Sequence, residues 1–263
     1  MHGSTILATF LGASAVFAAP AWPQVKSGLA NTIGHEAVSD YFNLLAQKID
    51  VAKLSSFAPS CDVSKAQMPT LSADPLSSPA AGLVIKHVAI GRGTQNYTCD
   101  ASNATAAPVL AGAVATLFNA SCVASTYPDL LHMLPRLALQ FDLPYSTSVD
   151  ERMGPTNLLV SGKHFFTNAT TPFFNLDTPR YRIGEAPCSK IESRPAPADA
   201  PKGRNGEAAV GWLRLAANPD ATGGLHEVFR VGTAGGSPPA TCQGMPASFE
   251  VQYAAEYWFF ASL

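Results

Sequence analysis

The sequence predicts a mainly β fold, an antiparallel β-sandwich or barrel with an N-terminal helix and a short helical insertion near residues 128–142. Charged residues make up only 14% of the 263-residue chain, which carries 20 glycines and 21 prolines. From residue 83 onward, short runs rich in Val, Ile, Thr and aromatic residues alternate with turn residues, the pattern of a β domain. At 47% hydrophobic residues the chain buries a sizeable core.

The first 18 residues resemble a secretory signal peptide. The apolar run from Ile6 to Ala18 is too short to span a bilayer, and small residues follow it before Pro20. No later apolar segment reaches about 18 residues, so we expect no membrane span. These features predict a secreted protein, extracellular or in the cell wall.

Residues 19–81 are predicted to hold one amphipathic helix and a Pro-rich loop. The helix lies within 35–54, and we expect it to pack against a sheet. Its apolar face consists of Val38, Tyr41, Phe42, Leu45 and Ile49. The β domain then occupies residues 82–263.

Seven segments of the β domain have strand character. They are 83–90, 94–99, 114–120, 157–166, 208–216, 225–233 and 248–260. The last alternates aromatic and polar residues, which predicts one buried and one wetter face until Trp258 and Phe260 make both faces apolar.

Two segments interrupt this pattern. Apolar residues at helical spacing predict the insertion at 128–142, where Pro135 should kink or split the helix. Residues 186–206 are polar and Pro-rich, which predicts a long mobile surface loop without a domain boundary.

The stretch "GRGTQNYTC", residues 91–99, contains a Gly-x-Gly. A dinucleotide fingerprint needs a third glycine, and Asn96 stands there; no helical pattern follows. We therefore predict a strand with a glycine bend or bulge, and no nucleotide cofactor. Alternation sends Gln95, Tyr97 and Cys99 to the core face, and Thr94, Asn96 and Thr98 to solvent.

Composition and spacing argue against other function classes. A net charge of −2 without a long basic run does not suit nucleic acid. His35 and Glu36 begin a metalloprotease motif, but Ser39 stands where the second histidine belongs. The remaining histidines are scattered, so no metal site is predicted.

The segment 225–242 holds the candidate catalytic residues. Alternation places His226 and Arg230 on one strand face, where histidine can exchange protons and arginine can hold a carboxylate. A carboxylate such as Glu227 or Glu256 completes the set. The competing interpretation is a cross-strand ion pair with Glu250 or Glu256 on an exposed face.

Export adds two covalent expectations. Sequons for N-glycosylation occur at Asn96, Asn103, Asn119 and Asn168. Five cysteines lie after the signal peptide, which predicts two disulfides and one spare thiol. Spacing alone leaves the connectivity open, as it leaves the oligomeric state.

Four motifs, "GRGTQNYTC", "GWLRL", "VFRVGTAGGSPPATC" and "VQYAAEYWFF", resemble a domain family of unknown function that is common in secreted proteins of filamentous fungi and also found in bacteria. The resemblance covers about residues 82–260. Fungal members often carry the label "malate dehydrogenase", but the incomplete fingerprint gives NAD-dependent activity no support. The resemblance implies the pair Cys99 and Cys242, then Cys61 with Cys122, which leaves Cys188 in the mobile loop.

Two functional hypotheses follow. The first is a non-enzymatic β domain that binds a small apolar or carbohydrate ligand, or a surface partner. It rests on the aromatic residues of the last strand, which also suit a core: Tyr253, Tyr257, Trp258, Phe259 and Phe260. The alternative is an extracellular hydrolase or isomerase that uses His226 and Arg230 with a carboxylate.

Overall fold

A computed structural model describes residues 32–54, 61–143 and 150–263. It is a closed antiparallel barrel of eight strands with three α-helices. The strands are β1 (Leu83–Thr98), β2 (Val109–Asn119), β3 (Val160–Phe166), β4 (Pro172–Asp177), β5 (Arg182–Arg194), β6 (Trp212–Ala217), β7 (Leu225–Gly235) and β8 (Ser248–Ser262). The helices are α1 (Thr32–Leu54), α2 (Ser121–Thr126) and α3 (Pro128–Ala138), and the 3-10 turn is Val63–Lys65. The signal peptide predicted at 1–18 lies outside the described residues.

Each strand pairs with its neighbours in sequence, and β1 pairs with β8 to close the barrel. Closure leaves no unpaired sheet edge, which suits a domain whose strands are long and apolar. The mainly β prediction with an N-terminal helix and a short helical insertion is confirmed, and the alternative left open between sandwich and barrel is decided for the barrel.

The loop predicted at 186–206 is corrected at its start, since β5 extends to Arg194. The sequence "APCSKIESR" mixes proline with charges and therefore looks like a loop. It forms a strand because Ala186 and Cys188 point into the barrel and are fully buried. Cys188 is thus a buried core thiol and not a loop residue. The sequence did not predict β4, because this strand is only six residues long and begins with Pro172.

The helices cover one side of the barrel. α3 contacts β1, β7 and β8, and α1 lies on α3, so the helix predicted to pack on a sheet contacts mainly another helix. Ile49 of its predicted apolar face is 46% exposed. α3 continues through Pro135 to Ala138, so the proline does not split it. None of the described helices is long and apolar enough to cross a membrane.

The barrel wall separates two apolar cores. The inner core fills the barrel with inward side chains from most strands, among them Leu117, Phe174 and Phe259. The outer core lies between the barrel wall and the helices, where Trp258 and Phe229 meet Leu131. Because side chains alternate along β8, the strand contributes residues to both cores. The face that was predicted to be wetter is covered by α3.

Two disulfides join Cys99 with Cys242 and Cys61 with Cys122, the pairing that the family resemblance implied. The first ties the end of β1 to the segment before β8. The second ties the segment before the barrel to α2.

The Gly-x-Gly stretch lies inside the long strand β1. A Cβ on Gly91 would stand 2.4 Å from the Tyr257 ring, and one on Gly93 would stand 1.8 Å from the Val114 carbonyl oxygen. The glycines thus allow close contact within the barrel wall and its interior. The bulge of β1 lies elsewhere, at Lys86 opposite β8, and the register shift opposite Asn96 and Tyr97 places its extra residue, Ala111, on β2.

Candidate functional site

The two predicted catalytic residues of β7 do not share a face. A bulge between Leu225 and Glu227 leaves His226 as the extra residue, and His226 is exposed to solvent. Beyond the bulge Arg230 pairs with Leu213 and Tyr257 and points into the barrel, where it is 9% exposed. Simple alternation failed because one bulged residue shifts every side chain before it to the other face.

Arg230 is buried with few hydrogen-bond acceptors. Its Nη2 donates to the Gly211 carbonyl oxygen at 2.9 Å, while its Nε is buried without a hydrogen-bond partner. Among the described residues, no carboxylate forms an ion pair with Arg230. A buried guanidinium without a counter-charge costs folding free energy, so this position is unusual.

The groups around Arg230 are polar but neutral. The hydroxyls of Tyr253 and Tyr257 lie 2.8 Å apart inside the barrel, and the Gln95 side chain lies beside Tyr253. The Tyr97 hydroxyl donates to the Gly236 carbonyl oxygen at 2.8 Å. We call Arg230, Gln95, Tyr97, Tyr253, Tyr257 and His164 the interior polar cluster.

The pKa values of the cluster confirm that its other members stay uncharged near neutral pH. Burial lowers the pKa of His164 to about 4, although its hydrogen bond with the Phe173 carbonyl oxygen opposes the shift. Burial raises the pKa of Tyr97 to about 12 and that of Tyr253 well above its ordinary value. Burial also raises the pKa of Tyr257, and the positive charge of Arg230 partly opposes this. Arg230 is therefore the one formal charge of the cluster.

Glu256, the third catalytic candidate, lies on the opposite side of the wall. It is fully buried beneath α3, where its Oε1 accepts from His132 Nδ1 at 2.8 Å and its Oε2 accepts from Trp258 Nε1 at 3.0 Å. The hydrogen bond to Glu256 raises the pKa of His132. Glu256 thus cannot join Arg230, because the two side chains lie on opposite faces of the wall, and it has a histidine partner that the sequence did not indicate.

A cross-strand ion pair joins β6 and β7, but it involves neither His226 nor Arg230. Arg214 of β6 binds Glu227 of β7 through two hydrogen bonds, of 3.1 and 2.6 Å, on the outside of the barrel. Glu250 is exposed, and Glu256 is bound to His132. The competing interpretation, an ion pair of His226 or Arg230 with Glu250 or Glu256, is not found among the ion pairs of the described residues.

The aromatic residues of β8 are core side chains. Tyr253, Tyr257 and Phe259 fill the barrel, while Trp258 and Phe260 lie in the outer core. None is more than 6% exposed. They form no exposed aromatic surface, so the observation behind the apolar or carbohydrate ligand hypothesis is lost.

A cleft of about 360 Å³ opens elsewhere, between the end of α3 and residues 151–154. Phe118, Ala138 and Met153 form its buried apolar wall. Asp142 and Arg152 line it too, and Asp142 is 79% exposed and paired with Arg204 at 3.2 Å. This volume is within the range of small-molecule sites, and mixed apolar and polar lining is typical of them.

A second buried histidine is structural. His87 Nε2 lies 2.9 Å from Ser161 Oγ, and its Nδ1 lies 3.1 Å from Ser121 Oγ. Burial lowers the pKa of His87 to about 3, which keeps the ring neutral between the two hydroxyls. Within residues 32–54, 61–143 and 150–263, no group of three or more His, Cys, Asp or Glu side chains is placed to hold a metal.

Sequence reasoning identified Arg230, Glu256 and the inward Gln95, but it missed His132 and His164. Gln95 on a core face was the usable signal, since a buried amide calls for polar neighbours. His132 gave no signal, because its partner is 124 residues away on another element.

Among known families, the model of DUF3455, described as a protein of unknown function, matches residues 79–261. Neither the search of curated proteins nor the search of solved structures finds a match. The matched range includes seven complete strands, all of β8 except Ser262, and both members of the Cys99–Cys242 disulfide. By this match over most of its length, the chain belongs to the DUF3455 family of proteins of unknown function.

Proposed function

We propose that the protein is a secreted, non-enzymatic barrel that binds a small carbohydrate-like ligand in the cleft beside α3. The cleft of about 360 Å³ is the observation that carries the proposal. Of the two ligand classes expected from the sequence, the carbohydrate suits this cleft better than a wholly apolar molecule. Its rim carries charged side chains.

The lining supports this ligand class in two ways. Phe141 is partly exposed at the cleft and offers a ring for the apolar face of a sugar. Asp142 and Arg152 supply an acceptor and donors for hydroxyl groups. Few precise polar groups beside an apolar wall are the usual means of orienting a small ligand.

The test is a thermal-shift screen of the purified protein with mono- and oligosaccharides and with fatty acids. A saccharide should raise the Tm of the wild type. The double variant Phe141→Ala/Asp142→Ala should bind that saccharide at least tenfold more weakly, so its Tm should shift less at the same concentration. Asp74→Ala is the matched control, because Asp74 is likewise exposed and paired with an arginine, Arg194, away from the cleft. A full saccharide shift in the double variant would reject the cleft, and no shift with any saccharide would reject the ligand class.

Secretion and glycosylation belong to the same proposal. Asn103 and Asn168 are exposed in loops, while Asn96 and Asn119 are half-buried, so we expect glycans first at the exposed pair. Endoglycosidase treatment of protein recovered from culture medium or cell wall should lower its mass, and Asn103→Gln/Asn168→Gln should remove most of that change. Unmodified protein retained inside the cell would contradict export.

The enzyme alternative retains one specific observation, the His132–Glu256 pair. A histidine held by a buried carboxylate, with its side chain 42% exposed, has the arrangement of a general base. A hydrolase and isomerase panel tests it: any activity found should be lost in His132→Gln and retained in His226→Gln. Activity that survives His132→Gln would remove this pair from the proposal, and we expect no malate-dependent NAD reduction.

A further inference from the structure

Arg230 is the starting point for a second site, inside the barrel and independent of the cleft. It is a permanent cation that is nine-tenths buried, and its Nε finds no acceptor in the described part of the chain. An uncompensated charge in such surroundings is several kcal/mol less favourable than a compensated one in general, so proteins rarely keep one without a ligand or partner.

The described part of the chain supplies no anion to compensate it. Each buried carboxylate of β7 and β8 has another partner on the outside of the wall: Glu227 binds Arg214, and Glu256 binds His132. The inward neighbours of Arg230 are tyrosine, glutamine and histidine side chains, which are neutral near pH 7. The interior polar cluster therefore has a net positive charge.

The free hydrogen-bonding groups fit a carboxylate. A guanidinium carries five N–H groups in a fixed fork, and a carboxylate accepts from two of them in parallel. At Arg230 the Nε–H is free, Nη2 donates to the Gly211 carbonyl oxygen, and the guanidinium also interacts with the Tyr257 hydroxyl. The Gln95 amide nitrogen has no partner in good hydrogen-bonding geometry among the described residues, and it adds a neutral donor to the same region.

We propose that the interior polar cluster binds the carboxylate group of a small organic acid, with Arg230 as its bidentate ligand and Gln95 as an accessory donor. The site takes a monocarboxylate or the terminal carboxylate of a larger acid. It differs from the cleft beside α3, whose lining lies on the outside of the wall.

The experiment measures the Tm in formate, acetate, phosphate and chloride at constant ionic strength. Four proteins are compared: wild type, Arg230→Met, Arg230→Lys and Arg214→Met. Arg214 is the matched control, because it lies on the neighbouring strand and is satisfied by Glu227. At one hundred times Kd, a bound carboxylate should raise the Tm by about 5 °C or more.

The expected pattern is specific. Formate or acetate raises the Tm of wild type and Arg214→Met, has no effect on Arg230→Met, and has a weakened effect on Arg230→Lys, which keeps the charge but loses the fork. Equal shifts in wild type and Arg230→Met, or no carboxylate shift in wild type, would overturn the proposal. A larger response to phosphate than to either carboxylate would overturn the ligand class.

A crystallographic measurement removes any dependence on the folding of the variants. Crystals of the wild type soaked in bromide should show anomalous density within hydrogen-bonding distance of the Arg230 guanidinium, and formate should displace it. Density only at the protein surface would reject an interior anion site. Neither outcome involves Asp142 or Phe141, so this proposal and the carbohydrate proposal fail independently.

Discussion

Arg230 and Glu256 lie on neighbouring strands, one register position apart, yet their charges face opposite sides of the barrel wall and have different partners. Arg230 pairs with Tyr257 and faces inward, while Val231 pairs with Glu256, which faces outward beneath α3. Glu256 has two donors, one of them the titratable His132, whereas Arg230 has only neutral acceptors, the Gly211 carbonyl oxygen and the Tyr257 hydroxyl, and a buried Nε without any.

The difference shows which charge serves folding. Outside the wall, α3 brings His132 to Glu256, so the charge joins the helix to the sheet. Inside the wall, Arg230 forms no ion pair with any of the described elements. A buried charge that the fold does not use is a better indication of a ligand site than one that it satisfies.

The largest effect is expected from Glu256→Ala. The substitution leaves the Trp258 N–H buried without an acceptor and opens a cavity beneath α3, so the free energy of unfolding should fall by about 3 kcal/mol. Glu256→Gln keeps one acceptor oxygen and should lose less. Urea unfolding measures both, with the exposed Glu250→Ala of the same strand as control; a loss in Glu256→Ala as small as in this control would show that the outer charge is not structural.

The next effect concerns acid. The pKa of His164 is about 4 in the folded barrel and 6.5 when unfolded. The unfolded chain therefore gains a proton first as the pH falls below 6.5, and His164 removes about 2–3 kcal/mol of stability by pH 4. Between pH 7 and pH 4, the free energy of unfolding should fall less steeply for His164→Gln than for wild type. Identical slopes would mean that the ring is protonated inside the fold.

Arg230→Met should change stability by less than about 1 kcal/mol in buffer without carboxylates, or increase it. The substitution removes a buried charge that lacks a counter-charge and keeps much of its apolar volume, and such replacements are often neutral or stabilising. Urea unfolding beside Glu256→Ala gives the direct contrast between the two sides of the wall. A loss as large as that of Glu256→Ala would make Arg230 structural and erase the distinction.

The sequence predicted the β class, the N-terminal helix and the helical insertion, because these depend on local periodicity and turn residues. It placed Gln95 and Tyr97 on the core face of β1 by the same alternation. It failed where one local event has long-range consequences. The bulge at His226 places His226 and Arg230 on different faces, and the periodic pattern of the sequence does not indicate a bulge.

The interior site also depends on closure. Arg230 and Gln95 are 135 positions apart in the sequence, and both act on the Tyr253 side chain only because β8 pairs with both β1 and β7. Alternation assigns each to a face, but not whether that face encloses a space or meets solvent. Likewise, the second face of β8 is buried only because α3, more than one hundred residues earlier, lies on it.

The smallest effect is a loss of stability as the pH rises, and its sign is opposite to that of His164. The hydrogen bond and charge of Glu256, together with Asp129, raise the pKa of His132 above its ordinary 6.5. The folded chain therefore holds this proton more tightly than the unfolded chain. The stabilisation is fully present below pH 6.5 and is lost as the pH rises through the raised pKa.

The His132 effect stays small because the side chain is 42% exposed and solvent screens the pair. His132→Gln keeps an N–H donor for Glu256 but does not titrate, so the difference in unfolding free energy between wild type and this variant should shrink from pH 6 to 8. Wild type should lose the advantage, and His132→Gln should stay level across that range. A difference that grows with pH would mean that the imidazole is neutral against Glu256, and the outer charge would then be as uncompensated as Arg230.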